Sequence, residues 1–472
     1  MSAAAFVPVK TLYGPTPGWP ENDTIMGLME PVGNQNINTW KFGSPRAQDS
    51  SVIGATTDAA IIQSLIIEAN NSSHGRQLQS SQPAIWDDNL GIVSLLSCAH
   101  PAYVPGSKGL SVNYFGTLSI SDILGKPAQS SVKVAYVVPG SKPGSLKRIP
   151  FANWNTTSVR YAHSFAMTAS HALFVFPPVT WDESLLAFSL QIGPAMVWSP
   201  DAEMQIVAVP LPAITEDGSV LQQPTFMANL TDKQAFFPLH MTNAWNSDCS
   251  AGDLQVLDVA KHNCTRLHFE GAGYRDLSVL SMFMMETVYN TTAMNEKNLH
   301  SNFRRFSIAV PTSVSGAKTV HLNSSLVTME DFRWNWENGS PVPGPTLPRW
   351  NRAWAGRRSC FVWGLQAHFN GSASYADQAV IKFDTCAYDD GKHTVQSLFT
   401  RPATMFAEPV FIPRPGSTSE DDGIVLVDTF DSKLGISSLY MLNGSDLQVL
   451  AILDAPILVP FPVHAEWYGD DS

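Results

Sequence analysis

The chain has 472 residues, 44% of them hydrophobic and 15% charged, which is enough apolar material for a large core and excludes a disordered polymer. Lys and Arg number 29 against 41 Asp and Glu, a net charge of −12, and no stretch gathers basic residues, so nucleic acid is excluded as a partner. The five cysteines (Cys98, Cys249, Cys264, Cys360, Cys386) are odd in number, widely spaced and without a CxxC pair, so neither a zinc site nor a disulfide framework is expected.

Met1 to Lys10 carries no basic segment followed by an apolar run of signal-peptide length. No window reaches the roughly 18 uninterrupted apolar residues of a membrane span, and a cytoplasmic chain is expected. Asn-X-Ser/Thr sequons are numerous, Asn22, Asn155, Asn229, Asn290 and Asn443 among them, and without an entry signal they set no compartment. The 31 Gly and 33 Pro are spread evenly, marking no internal boundary. Between them lie runs of strand length: Val132 to Val138, Ala172 to Phe176, Gln205 to Val209 and Ala379 to Phe383. Leu277 to Tyr289, rich in Met and Phe with little alternation, suits a short helix or a strand. The C-terminal part reads as a meander: Ile424 to Phe430, Ser437 to Leu442, a tight turn at Asn443-Gly444, then Leu447 to Leu453. Short strands without helical crossovers predict an all-β chain, a sandwich, barrel or propeller.

No HExxH, GxSxG or Walker-type phosphate loop occurs, which removes the usual support for hydrolase and nucleotide readings. Among 12 histidines, four follow or sit within apolar runs: His100 in LLSCAHPAY, His163 in SVRYAHSFAMT, His240 in FFPLHMTNAW and His464 in VPFPVHAEW. The first three are 63 and 77 residues apart and the last follows after 224, close to multiples of one length. In a ring of repeated blades, residues at equivalent inner positions meet on the axis, where four neutral imidazoles would suit a redox metal such as Fe(II). Four separate core histidines, satisfied by backbone carbonyls, are the alternative.

These contexts resemble the carotenoid cleavage oxygenase family, in the family's own order. CAHPAY, YAHSFAMT, LHMTNAW (with Asn243 three residues after the histidine) and VPFPVHAEW are similar to its four histidine motifs. Glu408 to Gly423, EPVFIPRPGSTSEDDG, is similar to its signature nearly residue for residue. The resemblance implies a seven-bladed β-propeller with Fe(II) on the axis, held by His100, His163, His240 and His464, and with loops and short helices capping one face. No catalytic residue beyond these ligands is implied.

The family also uses three glutamates to hold iron-binding histidines. The matches here are Glu408, then Glu330 in TMEDFRWN with Arg333 and Asn335 at the family spacing, and Glu68 in SLIIEANN. A rival register for the middle one is PTLPRWN, with Thr346, Pro348, Arg349 and Asn351. The resemblance begins near Gln35, so 1–34 is a divergent segment, 35–472 is the propeller domain, and the N-terminal blade is expected to be incomplete.

The activity implied is Fe(II)-dependent cleavage of a conjugated C=C bond of a carotenoid or apocarotenoid, with O2 and an apolar alkene as partners and peripheral membrane contact for substrate uptake. Stilbene cleavage or isomerisation at the same iron, and a metal-poor scaffold, are the rival readings. Relatives that cleave hydroxylated stilbenes carry a lysine before the glutamate matching Glu68. Ile67 stands there, so a polyene is expected to be preferred.

Overall fold

The computed structural model describes residues 38–43, 51–56, 58, 63–70, 75–88, 94–107, 109–117, 130–182, 195–215, 218–230, 236–260, 263–283, 301–314, 316–335, 337–339, 341–366, 378–459 and 464–467. Strands dominate them, and no helix among the described residues is long and apolar enough to cross a membrane.

Six sheets of four or five strands follow one another along the chain. The first is an antiparallel meander of Asn38–Gly43, Ser51–Thr56, Gln63–Asn70 and Gly75–Pro83. In the second, Ser94–Ser97 and Ala102–Tyr103 both pair with Ser111–Thr117, followed by Ser130–Pro139 and Leu146–Thr156. The third runs Ala166–Met167, His171–Phe176, Met204–Pro210 and Thr225–Leu230. The fourth is Phe237–Asp248, Cys264–Tyr274, Asn302–Pro311 and Val327–Asp331. The fifth is Thr346–Arg349, Phe361–Gln366, Ala379–Asp384 and Val395–Thr400. In the sixth, Thr404–Phe406 and Val410–Pro413 flank Gly423–Asp431, with Ile436–Asn443 and Val449–Asp454 outside. Thr319–Leu322, from the connection inside the fourth sheet, adds in parallel to the outer edge of the third and ties the two together.

The strands of the middle sheets are apolar on both faces because each of those sheets is packed between its two neighbours in the chain. In Met204–Pro210, Val207 and Val209 join a core with Val134, Tyr136 and Phe151 of the second sheet, whereas Ile206 and Ala208 join Leu267, Phe269 and Phe306 of the fourth. Side chains of a strand alternate between faces, so a continuous apolar run records burial on both. The same holds at Ala379–Asp384, where Ile381 and Phe383 face the fourth sheet and Val380 faces the sixth. Sheets stacked face to face in chain order, each beginning near a common centre, make a β-propeller.

The predicted strands lie within observed ones except the last, Leu447 to Leu453, whose observed counterpart is Val449–Asp454. Leu277 to Phe283 is a 3-10 helix, and the rest of that segment lies outside the described residues. The turn at Asn443-Gly444 is longer than a two-residue hairpin: the Leu447 N–H returns to the Asn443 carbonyl at 2.9 Å, and Leu447, at φ 58°, is buried in the core between the fifth and sixth sheets. Gly444 is required by crowding, since a Cβ there would stand 2.6 Å from both the Asp421 carbonyl and Phe411 Cε2.

The cysteine expectation is overturned. Cys249–Cys264 and Cys360–Cys386 are disulfides, with Cα atoms 5.9 and 5.0 Å apart, and Cys98 is free and buried. Spacings of 15 and 26 residues carry no motif; strand pairing is what brings them together, Asp248 lying opposite Thr265 at the end of one hairpin. Reduction is expected to cost about 3 kcal/mol for each closed loop. A lower urea midpoint after treatment with a strong reductant would show it, and an unchanged midpoint would sink it.

Candidate metal centre

The inner ends of successive sheets bring the four singled-out histidines together. His100 lies in the break between the two short strands that share Ser111–Thr117, and His163 lies just before Ala166–Met167. His240 lies in the innermost strand of the fourth sheet, and His464 follows the sixth. His240 is aimed by irregularity: the register slips by one residue between Pro238 and His240 and again between Met241 and Ala244. Such bulges re-aim side chains and leave backbone groups unpaired. Ser164, next to His163, takes up both of these: its hydroxyl donates to the Leu239 carbonyl at 2.8 Å and accepts from the Met241 N–H at 2.6 Å. Gly271 opposite is needed for close approach, because a Cβ would stand 2.9 Å from the His240 carbonyl oxygen and 2.5 Å from Met241 Sδ. Cys98 Sγ donates to the carbonyls of His163 and His100 at 2.8 and 3.3 Å, joining the first two histidine segments.

One nitrogen from each of His100, His163, His240 and His464 lies within 4.8 Å of the others. Nε2 of His100 and Nε2 of His163 face each other at 3.1 Å, and buried His240 Nε2 has no hydrogen-bond partner. Burial, then the neighbouring histidines, push His100 and His240 well below the usual imidazole range, so both are neutral with lone pairs available. Buried, converging acceptors cost free energy unless a cation takes them. With nitrogen–metal bonds of about 2.1 Å, two ligand nitrogens can stand about 3 Å apart, as Nε2 of His100 and of His163 do at 3.1 Å. The residues present fit a divalent transition metal, and an all-imidazole set suits iron, copper, zinc or nickel.

Two carboxylates stand behind the rings. Asp58 is at 2.8 and 3.1 Å from His163 Nδ1, and the Tyr161 hydroxyl donates to the same carboxylate at 3.1 Å. Glu408 Oε2 lies 3.2 Å from His464 Nδ1, within ion-pair distance though outside hydrogen-bond geometry. Burial raises the Glu408 carboxyl, but Arg349 and His464 outweigh it and hold the group below the ordinary range. Arg349 donates to Glu408 at 2.6 Å, to the Ala465 carbonyl at 2.6 Å and to Glu466 at 3.2 Å. Arg352 grips Glu466 with two bonds of 2.9 Å. Together the two arginines fasten the segment that carries His464. Leu347, at φ 47°, sits in the bulge between Thr346 and Arg349 that turns this arginine toward the centre.

One expectation needs correction. Glu330 does not join the histidines: it lies on the outermost strand of the fourth sheet, half-exposed, 4.0 Å from Arg305. The rival register lies on the innermost strand of the fifth sheet, Thr346–Arg349, where Thr346 shares a 2.6 Å hydrogen bond with Tyr274; no carboxylate is seen against His240 among the described residues. Glu68 lies in Gln63–Asn70 opposite Gln77, with its side chain outside the described residues, and the carboxylate that reaches His163 is Asp58. Asp58, Arg352 and Glu466 were not anticipated; the one trace of Asp58 in the sequence is its place just after the strand Ser51–Thr56. Glu408→Gln keeps the size of the side chain and removes its charge, so metal affinity is expected to fall about 10- to 100-fold. Wild-type affinity in a metal titration would make Glu408 a structural turn residue.

A β-propeller with a four-histidine cluster able to hold a metal defines a class of protein, and comparison with known proteins gives the chain its family. Residues 59–469 match the family model described as retinal pigment epithelial membrane protein, and the chain belongs to that family. The apocarotenoid-15,15'-oxygenase of Synechocystis sp. is 26% identical over 312 residues, 65% of this chain and 51% of that protein. The beta,beta-carotene 15,15'-dioxygenase of Mus musculus is 24% identical over 379 residues, 76% of this chain and 58% of that protein. The chain therefore spans about half the length of the curated relatives it matches. A crystal structure of cobalt-substituted Synechocystis ACO has 20% identity and a TM-score of 0.57, covering 92% of this chain and 74% of that one.

Proposed function

We propose that this chain is an Fe(II)-dependent dioxygenase that cleaves a conjugated C=C bond of a carotenoid or apocarotenoid into two carbonyl products. The observation that carries the reading is the convergence of four histidines, His163 and His240 buried among them, with an orphaned Nε2 on His240 and facing nitrogens 3.1 Å apart. His100, His163, His240 and His464 hold the metal, and bound iron supplies the activation of O2. Asp58 and Glu408 orient His163 and His464 and make them better donors.

An apolar wall adjoins the histidines: Tyr161 and Leu239, each next but one or next to a ligand, pack with Phe237, Val179 and Val279. Phe237 stacks on Tyr161 with ring centroids 5.8 Å apart, and Trp198 meets it edge-on at 6.4 Å. The two-stranded ribbon Val179–Trp181/Met196–Trp198 and the 3-10 helix Leu277–Phe283 contribute to this wall. Apolar packing of this kind beside the histidines suits an apolar polyene. Exposed Leu450, Ile452, Leu453, Ile457 and Leu458 support peripheral contact with the membrane that dissolves it.

The residue before Asp58 is Thr57, which like Ile67 has no ammonium to help ionise a phenol. Tyr161 does not replace it, since its hydroxyl is committed to Asp58 and burial raises its pKa. Iron-loaded protein offered carotenoids, apocarotenoids and stilbenes under labelled O2 is expected to yield labelled aldehydes from polyenes, identified by mass spectrometry. Isomerised product without label would overturn cleavage, and faster turnover of resveratrol than of an apocarotenal would overturn the substrate class.

A further inference from the structure

We propose that this chain matures in an oxidising secretory compartment and carries N-linked glycans on Asn155 and Asn323. Two independent sets of residues point there. The first is the cysteines. Four of five are paired, and the fifth, Cys98, is fully buried with its Sγ donating to the carbonyls of His163 and His100, beyond reach of exchange. Each pair closes a structural feature: Cys249–Cys264 spans the capped helix Ala251–Leu257, and Cys360–Cys386 ties the edge of the fifth sheet to the helix Thr385–Asp389. Thiols held at these separations stay reduced in the glutathione pool of a cytosol and oxidise in a secretory lumen.

The second is the sequons. Asn155-Thr156-Thr157 ends the strand Leu146–Thr156 with both Asn155 and Thr157 exposed. Asn323-Ser324-Ser325 caps a 3-10 turn outside the fourth sheet, with all three residues exposed. A glycan is bulky and hydrated, so a native fold tolerates it only where the amide meets water. Asn229 is unlike these two: it is half-buried, and its Oδ1 accepts from Gln205 Nε2 at 3.1 Å within the third sheet. The fold therefore separates sequons that can carry sugar from one that cannot.

The chemistry balances with two ordinary co-reactants. For each disulfide, two thiols lose two protons and two electrons to the protein disulfide of a thiol oxidoreductase, which leaves as a dithiol. For each glycan, the asparagine Nδ2 loses a proton and bonds the anomeric carbon of an oligosaccharide, and a polyprenyl diphosphate departs with the electron pair.

The test uses the full chain from its native cells. Free thiols are capped with maleimide in denaturant, which exposes buried Cys98, before reduction, and peptide N-glycosidase is applied in heavy-oxygen water, which converts each formerly glycosylated asparagine into heavy aspartate. One capped thiol, the linked pairs 249–264 and 360–386, and heavy aspartate at 155 and 323 are expected. Asn323→Gln should remove one glycan step from the electrophoretic mobility and leave the melting temperature unchanged. Four or more capped thiols would overturn the proposal, as would intact disulfides with both asparagines unmodified, or heavy aspartate at 229 in place of 155 and 323.

Discussion

Replacing His240 with alanine is expected to strip the chain of most of its metal while leaving the propeller folded. His240 is central to the cluster: its ring lies 5.0 Å from that of His100, 5.1 Å from His163 and 5.1 Å from His464, each edge-on. Removing it deletes one donor and opens space that water can enter, so the loss of affinity should exceed the about 10- to 100-fold expected when a supporting carboxylate is removed. The strand itself does not depend on the ring, because the Ser164 hydroxyl bonds the backbone on either side of it. Metal content per chain and the melting temperature with and without Fe(II) check this. Wild-type protein at 100 times its dissociation constant should gain about 2.7 kcal/mol from the metal, and the variant little. A variant with full occupancy would falsify the assignment of His240 as a ligand.

The sequence carried the histidines and the all-β architecture because both are local signals. An apolar run of five to seven residues records a strand buried on both faces, and the runs at Ala172 to Phe176 and Gln205 to Val209 are of that kind. The carboxylates were harder because their identity depends on which strand is innermost. Glu330 and Thr346 stand at the same spacing from an arginine and an asparagine, yet one lies on an outer strand and the other on an inner one. Asp58 escaped notice for a related reason: it lies 105 residues from His163, with nothing in between to link them. The disulfides were invisible for want of a motif, since pairing across a hairpin end, as for Cys249 and Cys264, is set by register.

Arg349→Ala is expected to be the most destabilising single change near the centre. The guanidinium is largely buried between Glu408 and Glu466, whose side chains are 2% and 6% exposed. Burial works against its charge, but the two carboxylates outweigh that and raise its pKa further. Removing it leaves Glu408 buried beside His464 without its strongest partner, at a cost of about 3–5 kcal/mol. Arg349→Lys should recover only part, because one ammonium cannot span Glu408, Glu466 and the Ala465 carbonyl as the fork does. The cost also depends on pH. Glu408 titrates below its ordinary value in the folded chain, so its pairing contributes fully above the unfolded value of about 4.3 and is lost as pH falls through the lower folded one. The wild type should therefore lose stability faster than Arg349→Ala on acidification. Combining Arg349→Ala with Glu408→Gln removes both charges, and the double variant should be less destabilised than the two single costs together. Urea midpoints of the four proteins at neutral pH and near pH 4 decide it. Additive costs with parallel pH profiles would mean that Arg349 acts through packing alone.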